Sequence, residues 1–440
     1  MRYPRAGLSR LSSRLVLIAI ALLAAASCLP APRAPAVRLD VDGIIDPPMA
    51  SYITRGLEYA SQRRAPLVIL YMDTPGGLAD SMREIIQAIL ASPVPVVTYV
   101  APEGARAASA GCLIAIASDF LAMSPTSNIG AAHPVSESGV PASDKITNDM
   151  AAQARSLAKR RGRNVEWAEK AVRQSVSDTA DEAVRDHIAD FIAQNERDLL
   201  VKLNGRKWNG EVLHTAGLPI QHLPMGMKER FLHVLSNPNV ALLLMMLAMY
   251  GLIGELSHPG AVFPGIIGAV SVVLAFYSFS VLSINAAGFL LVAMAVGLFI
   301  ADLFVPSHGV LTASGVLCLA LGSFMLFQDA PSFLRASALL IVSMSLVTGA
   351  FFGLALGAGI RAQRRRVATG REAMVGAVAV ATSPLRPEGM VRVMGELWRA
   401  VSSEPVDVGQ SVVVKGVEGL TLRVEPAHPN PDAEKGDVSR

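Results

Sequence analysis

The sequence predicts three folds in series: an α/β domain, a multi-span α-helical membrane domain and a small all-β domain. Three observations lead there. Between Ser236 and Ile360 the only charged residues are Glu255, Asp302, Asp329 and Arg335. Before that stretch, strand-like apolar runs alternate with segments of helical periodicity; after it, Val- and Gly-rich runs alternate with period two. The whole chain of 440 residues is 52% hydrophobic and 17% charged, against roughly 25% charge in soluble proteins, so one soluble domain is excluded. Aromatics are 5%, with 36 Gly and 27 Pro. The apolar excess is therefore aliphatic and small-residue, as membrane helices require.

Residues 1–30 read as a signal peptide. Arg2, Arg5, Arg10 and Arg14 precede an apolar run from Leu15 to Ala26, small residues at Ala24–Ser27 and the break Leu29-Pro-Ala-Pro-Arg33. An uncleaved anchor is the alternative. Lipidation at Cys28 lacks the large aliphatic residue expected three positions earlier, where Ala25 stands.

Residues 36–235 form the α/β domain. Val37–Ile45, Leu67–Asp73 and Val94–Tyr99 read as strands, and Pro48–Arg63 and Leu78–Ala91 as helices. In the second helix Met82, Ile85, Ile86 and Ile89 share one face. Strands separated by helices of this length imply crossover connections.

Residues 236–360 divide into candidate spans Val240–Gly254, Pro264–Leu282, Ala286–Val305, Val310–Phe327 and Ser337–Ile360. Most approach the roughly 20 residues of a bilayer crossing. The first is short and runs into Glu255-Leu-Ser-His-Pro259, which suggests an irregular or re-entrant segment. Five spans are expected, with four the runner-up. Arg361, Arg364, Arg365 and Arg366 follow, a basic cluster that belongs on the cytoplasmic side.

Residues 368–428 read as a small β-barrel or sandwich, with strands at Met374–Ala381, Met390–Met394, Gln410–Lys415 and Thr421–Val424. Residues 429–440 read as a disordered tail, and no internal repeat stands out. A net charge of +3 and a pI near 8.8 are too weak a bias for nucleic acid. Three separated cysteines and scattered histidines offer neither a disulfide framework nor a structural metal site, and no cofactor is called for.

Three segments of the α/β domain carry chemistry-bearing residues. Asp73-Thr-Pro-Gly-Gly77 ends a strand, and its glycines present bare N–H groups of the kind that stabilise an oxyanion; a plain strand-to-helix turn reads the same way. Gly104-Ala-Arg-Ala-Ala-Ser109-Ala-Gly111 surrounds a serine with small side chains and leads into a helix whose first N–H groups add a positive field. Lys145-Ile-Thr-Asn-Asp149 opens another helix. Lysine serves as base for a serine where burial or nearby positive charge, for example from Arg106, disfavours its ammonium form. His133 is a rival base and Asp73 a rival orienting carboxylate, so residue types alone also permit a Ser-His-Asp triad.

The order DTPGG, GARAASAG, IGAAHPV, KITND, membrane spans and a Gly-rich β tail resembles the full-length NfeD family, membrane-bound serine proteases paired with stomatin-like proteins. The resemblance runs from about Ala36 to Pro426, and Gly370, Pro387-Glu-Gly389, Gly395-Glu-Leu-Trp398 and Val417-Glu-Gly-Leu420 extend it through the tail. It implies a Clp-protease/crotonase-like α/β domain and an OB-like five-stranded barrel. The family serine falls on Ser109 and its lysine on Lys145, and by analogy with the fold the oxyanion donors fall on the backbone N–H groups of Gly77 and Ala110. His133 sits in a shared motif without being the family's base. Cys112 and Ser124-Pro-Thr-Ser127 depart from the family pattern.

The resulting expectation is a serine endopeptidase with a Ser109–Lys145 dyad that needs no metal or cofactor. It is a multi-pass protein of a bacterial-type inner membrane, with the protease domain outside the cytoplasm and the barrel inside. Its partners are membrane lipid, a stomatin/prohibitin-like protein as substrate or partner, and further copies of itself, at least a dimer. Two other readings compete: a non-catalytic scaffold for a stomatin-type protein, and an acyl-CoA-handling crotonase-type enzyme, disfavoured by export from the cytosol. A lone Trp398 between Thr369 and Pro426 gives the tail no stacking platform for nucleic acid.

Overall fold

The computed structural model describes residues 34–427 apart from 136–141, 259, 261, 283, 306, 331–333 and 364–370. The expected signal peptide, Cys28, Arg364, Arg365, Arg366 and the expected tail 429–440 lie outside the described residues. The chain divides into two compact units between Phe351 and Phe352.

The first unit opens with β1 (Ala36–Ile45), α1 (Pro47–Gln62), β2 (Val68–Gly77), α2 (Ala79–Ala91) and β3 (Val96–Val100). Helix α1 starts at Asp46, whose Oδ1 accepts the Met49 N–H at 2.9 Å, with prolines at the first two helical positions, where a missing N–H costs nothing. Strand β1 pairs in parallel with β2 and with β11 (Ile220–His222). On the far side of β2 follow β3, β5 (Phe120–Met123) and β8 (Phe191–Ile192), all parallel. The tip of β2 carries a second branch. Thr74 pairs with β4 (Arg106–Ala108), β4 with β6 (Asn128–Gly130), and β6 antiparallel with β7 (Ser177–Thr179). A two-stranded hairpin of β9 (Lys207–Trp208) and β10 (Glu211–Val212) stands apart.

The apolar run of β2 is continuous because both faces of the sheet are covered. Val68, Leu70 and Met72 enter one buried cluster, and Leu67 and Ile69 the other. Each such aliphatic side chain contributes roughly 1.5–3 kcal/mol on burial. The crossovers are α3 (Ala110–Ala117), α4 (Asp144–Arg160), α5 (Val165–Arg173), α6 (Ala180–Arg185) and α7 (Glu196–Leu203); α8 (Met227–Leu235) then leads to the membrane helices.

Five apolar helices follow: α9 (Pro238–Ser257), α10 (Val262–Val281), α11 (Ala286–Phe304), α12 (Val310–Leu326) and α13 (Ala338–Gln363). The first three are long and apolar enough to cross a membrane, while Val310–Leu326 and Ala338–Leu354 are shorter apolar stretches. Helix α9 is one unbroken 20-residue helix, not the irregular segment that its short apolar run suggests, because Asn237 and Pro238 start it early and Glu255 falls within its last turn. Helices α9 and α10 pack closely, as do α11 and α12. A Cβ on Gly251 would lie 2.5 Å from the Cα of Gly268, so the first pair touches backbone to backbone. On α10 the buried residues are Gly268, Ser271, Ala275 and Ser278, while Phe263, Ile266 and Val273 are exposed. Small side chains pack inward and bulky ones point out, as in lipid.

The two hairpins repeat one another. Glu255 Oε1 accepts from the Gly260 N–H at 3.4 Å, and a Cβ on Gly265 would lie 2.8 Å from its Oε2. Asp302 accepts from the Ser307 hydroxyl and, at 2.6 Å, from the Thr312 hydroxyl. In both hairpins the partners stand five and ten residues beyond the acid. In the sequence Ile253, Glu255, Leu256, Pro259 and Gly268 answer Ile300, Asp302, Leu303, Pro306 and Gly315, too sparse to register as a repeat by inspection.

In the second unit, α14 (Arg371–Met374) precedes a closed barrel of β12 (Val378–Ala381), β13 (Glu388–Val393), β14 (Glu396–Ser402), β15 (Ser411–Glu418) and β16 (Thr421–Pro426), ordered β12-β13-β14-β16-β15. Strands β14 and β16 run parallel. Its core is small and aliphatic, with Ala379, Val391, Ala400, Val414 and Leu422 fully buried. The expected strand Met374–Ala381 is shorter than its apolar pattern, since Met374 closes α14. Strand β14 escapes the sequence reading because only Ala400 and Ser402, both small, point fully inward.

Candidate active site

The Asp73–Gly77 segment is strand, not the turn its Pro-Gly-Gly suggests. Ile44 pairs with Gly76 and Ile45 with Gly77, past a register shift between Asp42 and Ile44. Thr74 is fully buried, and its Oγ1 accepts the Gly76 N–H at 3.0 Å. The Leu78 N–H donates to Ile45 O at 2.8 Å. At Gly77 an added Cβ would stand 2.2 Å from Ile45 O, so only glycine fits this close approach to β1.

Ser109 follows β4 directly and is the N-cap of α3, with φ 53° and ψ −116°. A non-glycine residue in such a region costs about 1–3 kcal/mol and persists only where its surroundings fix it. The fixing contacts are the Ser109 N–H donated to Gly130 O at 3.0 Å and the Cys112 N–H donated to Ser109 O at 3.1 Å. The Ser109 side chain sits against Gly76, where an added Cβ would be 2.5 Å from its Cβ and 2.9 Å from its Oγ. Ala110 opens α3, so its N–H belongs to the first turn, which has no partner within the helix. Thr74 reaches this helix too: a Cβ on Gly111 would be 2.4 Å from its Cγ2. Thr74 thus touches both glycine-bared backbones, a role hidden in sequence inside a motif whose glycines draw the eye.

Lys145 is the second residue of α4, exposed to solvent, and α4 packs on α3. Among the described residues no hydrogen bond or ion pair holds Lys145; Ser109 and Gly76 are brought together, with Ala110 and Gly77 as their chain neighbours. Arg106 is likewise exposed, and its backbone N–H donates to Asp73 Oδ1 at 3.0 Å. His133 Nδ1 lies 2.8 Å from Val172 O. A carbonyl only accepts, so Nδ1 carries the proton and points at α5 rather than at Asp73, the orienting carboxylate a Ser-His-Asp triad would need.

Cys112 is fully buried, and loss of solvation, with Asp178 nearby, pushes its thiol up to about 12. It is a packing residue without thiolate reactivity at neutral pH. Ser124 and Ser127 form a self-bonded turn: Ser127 Oγ donates to Ser124 O at 2.7 Å and Ser124 Oγ to Pro102 O at 2.9 Å.

Family models match three successive stretches: NfeD1b, N-terminal domain, over residues 37–204; NfeD integral membrane domain over 239–358; and NfeD-like C-terminal, partner-binding domain over 371–426. The chain is 36% identical over 389 residues to the membrane-bound protease PH1510 of Pyrococcus horikoshii, covering 84% of this chain and 88% of that one. It is 29% identical over 417 residues to the membrane protein NfeD1b of Bacillus subtilis, covering 88% and 91%. The solved structure of 1510-N, a P. horikoshii membrane protease specific for a stomatin homolog, is 32% identical and covers 47% of this chain and 100% of that chain, with a TM-score of 0.42. With all three domain models matched in order and a relative matched along most of its length, the chain belongs to the NfeD family.

Proposed function

We propose that the chain is a membrane-integrated serine endopeptidase with Ser109 as nucleophile and Lys145 as general base. The observation that carries this reading is the strained Ser109 backbone at the start of α3, its side chain set against the bare Cα of Gly76. Such strain is retained where function needs a fixed geometry. Likeness to a membrane-bound protease along 84% of the chain supports it.

In the reaction, Ser109 Oγ attacks the peptide carbonyl carbon as its proton passes to Lys145 Nζ. The Gly77 and Ala110 N–H groups hold the oxyanion of the tetrahedral intermediate. Collapse breaks the C–N bond, the leaving amine takes the proton from Lys145, and water then attacks the acyl-enzyme by the same route in reverse. Lysine serves as base where bound peptide shuts out water, since desolvation disfavours the ammonium form. No metal or cofactor takes part.

The family resemblance and the partner-binding class of the C-terminal domain point to a stomatin-like membrane protein, cleaved in a hydrophobic segment or bound by the barrel. The same resemblance suggests at least a dimer. The basic cluster after Ile360 and the export-type N-terminus support a reading with the α/β domain outside the cytoplasm and the barrel inside.

The exposure of Lys145, with no hydrogen bond to Ser109 among the described residues, favours a second reading, an inert protease-like domain serving as a scaffold. A fluorophosphonate probe separates the two. Labelling of the wild-type chain that disappears in Ser109→Ala supports the peptidase. A folded wild-type chain that takes no label supports the scaffold.

A further inference from the structure

Helix α8 is tied to the α/β domain along one side, and it also touches α9 and α10. Glu229 receives Arg55 of α1 in a two-pronged ion pair, Nε at 2.8 Å and Nη2 at 2.7 Å. One turn on, His233 Nδ1 meets Asp46 Oδ2 at 2.8 Å. At 100° per residue the opposite face of the helix holds Met227, Phe231 and Val234, within about 60° of arc. These three are 91%, 51% and 49% exposed, large apolar side chains lined up with about half or more of each surface open, Val234 also bordering a cavity with Ile44 and Val240.

We propose that α8 is an interfacial helix whose Met227, Phe231 and Val234 face rests in the surface of the phospholipid bilayer. Continuity supplies the occupant. Only Ser236 and Asn237 separate α8 from α9, the first helix of bilayer length, whose own Leu243 and Leu247 are exposed. A helix this close to a bilayer entry point lies at headgroup depth. Charge supplies the second argument. Arg230 flanks the apolar stripe on one side and Lys228 on the other, both exposed, so their cationic tips can reach phosphates while the stripe meets acyl chains. The acidic residue of the helix, Glu229, is turned away into its ion pair with Arg55. An apolar face, cationic flanks and a carboxylate withdrawn to the far side form the pattern of a membrane-surface helix. Through Arg55 and Asp46 this helix fixes the α/β domain against the lipid surface rather than leaving it on a loose tether.

The test uses the full chain reconstituted in vesicles of phosphatidylcholine and phosphatidylglycerol, carrying Phe231→Trp or, as control, Glu84→Trp on the exposed side of α2. The native Trp167, Trp208 and Trp398 are common to both. Acyl chains brominated near the headgroup are expected to quench the tryptophan added at 231 at least about twofold more than the control, with emission shifted to the blue. Equal quenching at the two positions overturns the proposal. A blue shift without lipid quenching also overturns it, by showing that protein (a second copy or another chain) covers the stripe. Should Phe231→Trp fail to fold, Val234→Trp puts the same question one turn on.

Discussion

Ser109 and Gly76 share a space that a single added carbon would fill, since a Cβ at 76 would stand 2.5 Å from the serine Cβ. Gly76 also holds φ at 113°, where a side chain is strained in any case. Gly76→Ala is therefore expected to push the hydroxyl off its position and cut the rate of probe labelling by on the order of 10²-fold. Gly104→Ala makes a fair comparison, with φ 81° but nothing within 4 Å of the new carbon. Labelling rates that fall equally in the two variants would mean that backbone strain, not the place of Ser109, was being read.

Ser109→Ala and Lys145→Ala should each abolish peptide cleavage, and the double variant should be no worse, as groups acting as one unit are not additive. His133→Ala should keep most of the activity, because its Nδ1 is spent on Val172 O. Activity lost in His133→Ala but kept in Lys145→Ala would replace the dyad by a histidine-based site.

Thr74→Val keeps the shape of the side chain but strips the acceptor from the Gly76 N–H, leaving a buried donor unmatched at about 1–3 kcal/mol. The expected outcome is a kcat lowered about tenfold or more with KM little changed, since the loss falls on the geometry of the reacting centre. Thr74→Ser restores the acceptor and should recover most of kcat. A Val variant with normal kcat would reduce Thr74 to a packing residue.

The His233–Asp46 pair makes stability depend on pH. The hydrogen bond to Asp46 holds the imidazole pKa above its ordinary value, against the opposing effect of burial. The pair's contribution is thus fully present below the unfolded histidine value near ~6.5 and is lost as pH rises through the higher folded value. Amide protection in α8, taken relative to the intrinsic exchange rate at each pH, should fall over that window in wild type and stay flat in His233→Gln. An unchanged slope in the variant would assign the pH dependence elsewhere.

For topology, protease added to sealed spheroplasts should digest residues 36–235 and spare a tag placed after Arg440. The reasoning is that an odd number of crossings joins an exported domain to a basic cluster that belongs inside. Digestion of the tag would overturn both the five-span count and the cytoplasmic barrel.

The α/β and membrane elements were legible in sequence because their signals are local. The VILYM run of β2, the Met82–Ile89 stripe of α2 and the uncharged stretch 236–360 each carry their own period or length. Ser109 stood out through its small neighbours. What sequence did not show depends on contacts between distant segments. The second branch of the sheet, β4, β6 and β7, is built from three-residue strands too short for any period. The strand character of Thr74 to Gly77 comes from pairing with β1, which overrides the turn propensity of Pro-Gly-Gly. Asp46 and His233 lie 187 residues apart, and no pattern within either segment announces the other.

The pairing of α9 with α10 and of α11 with α12 also fixes how the chain counts its way across a bilayer. A hairpin, however deeply it enters, returns the chain to the face it came from, so both hairpins are neutral in parity. On the proposed five-span reading, the side on which the barrel is delivered then hangs on α13 alone. Deleting either hairpin should leave the barrel where it is, while deleting α13 should carry it to the opposite face.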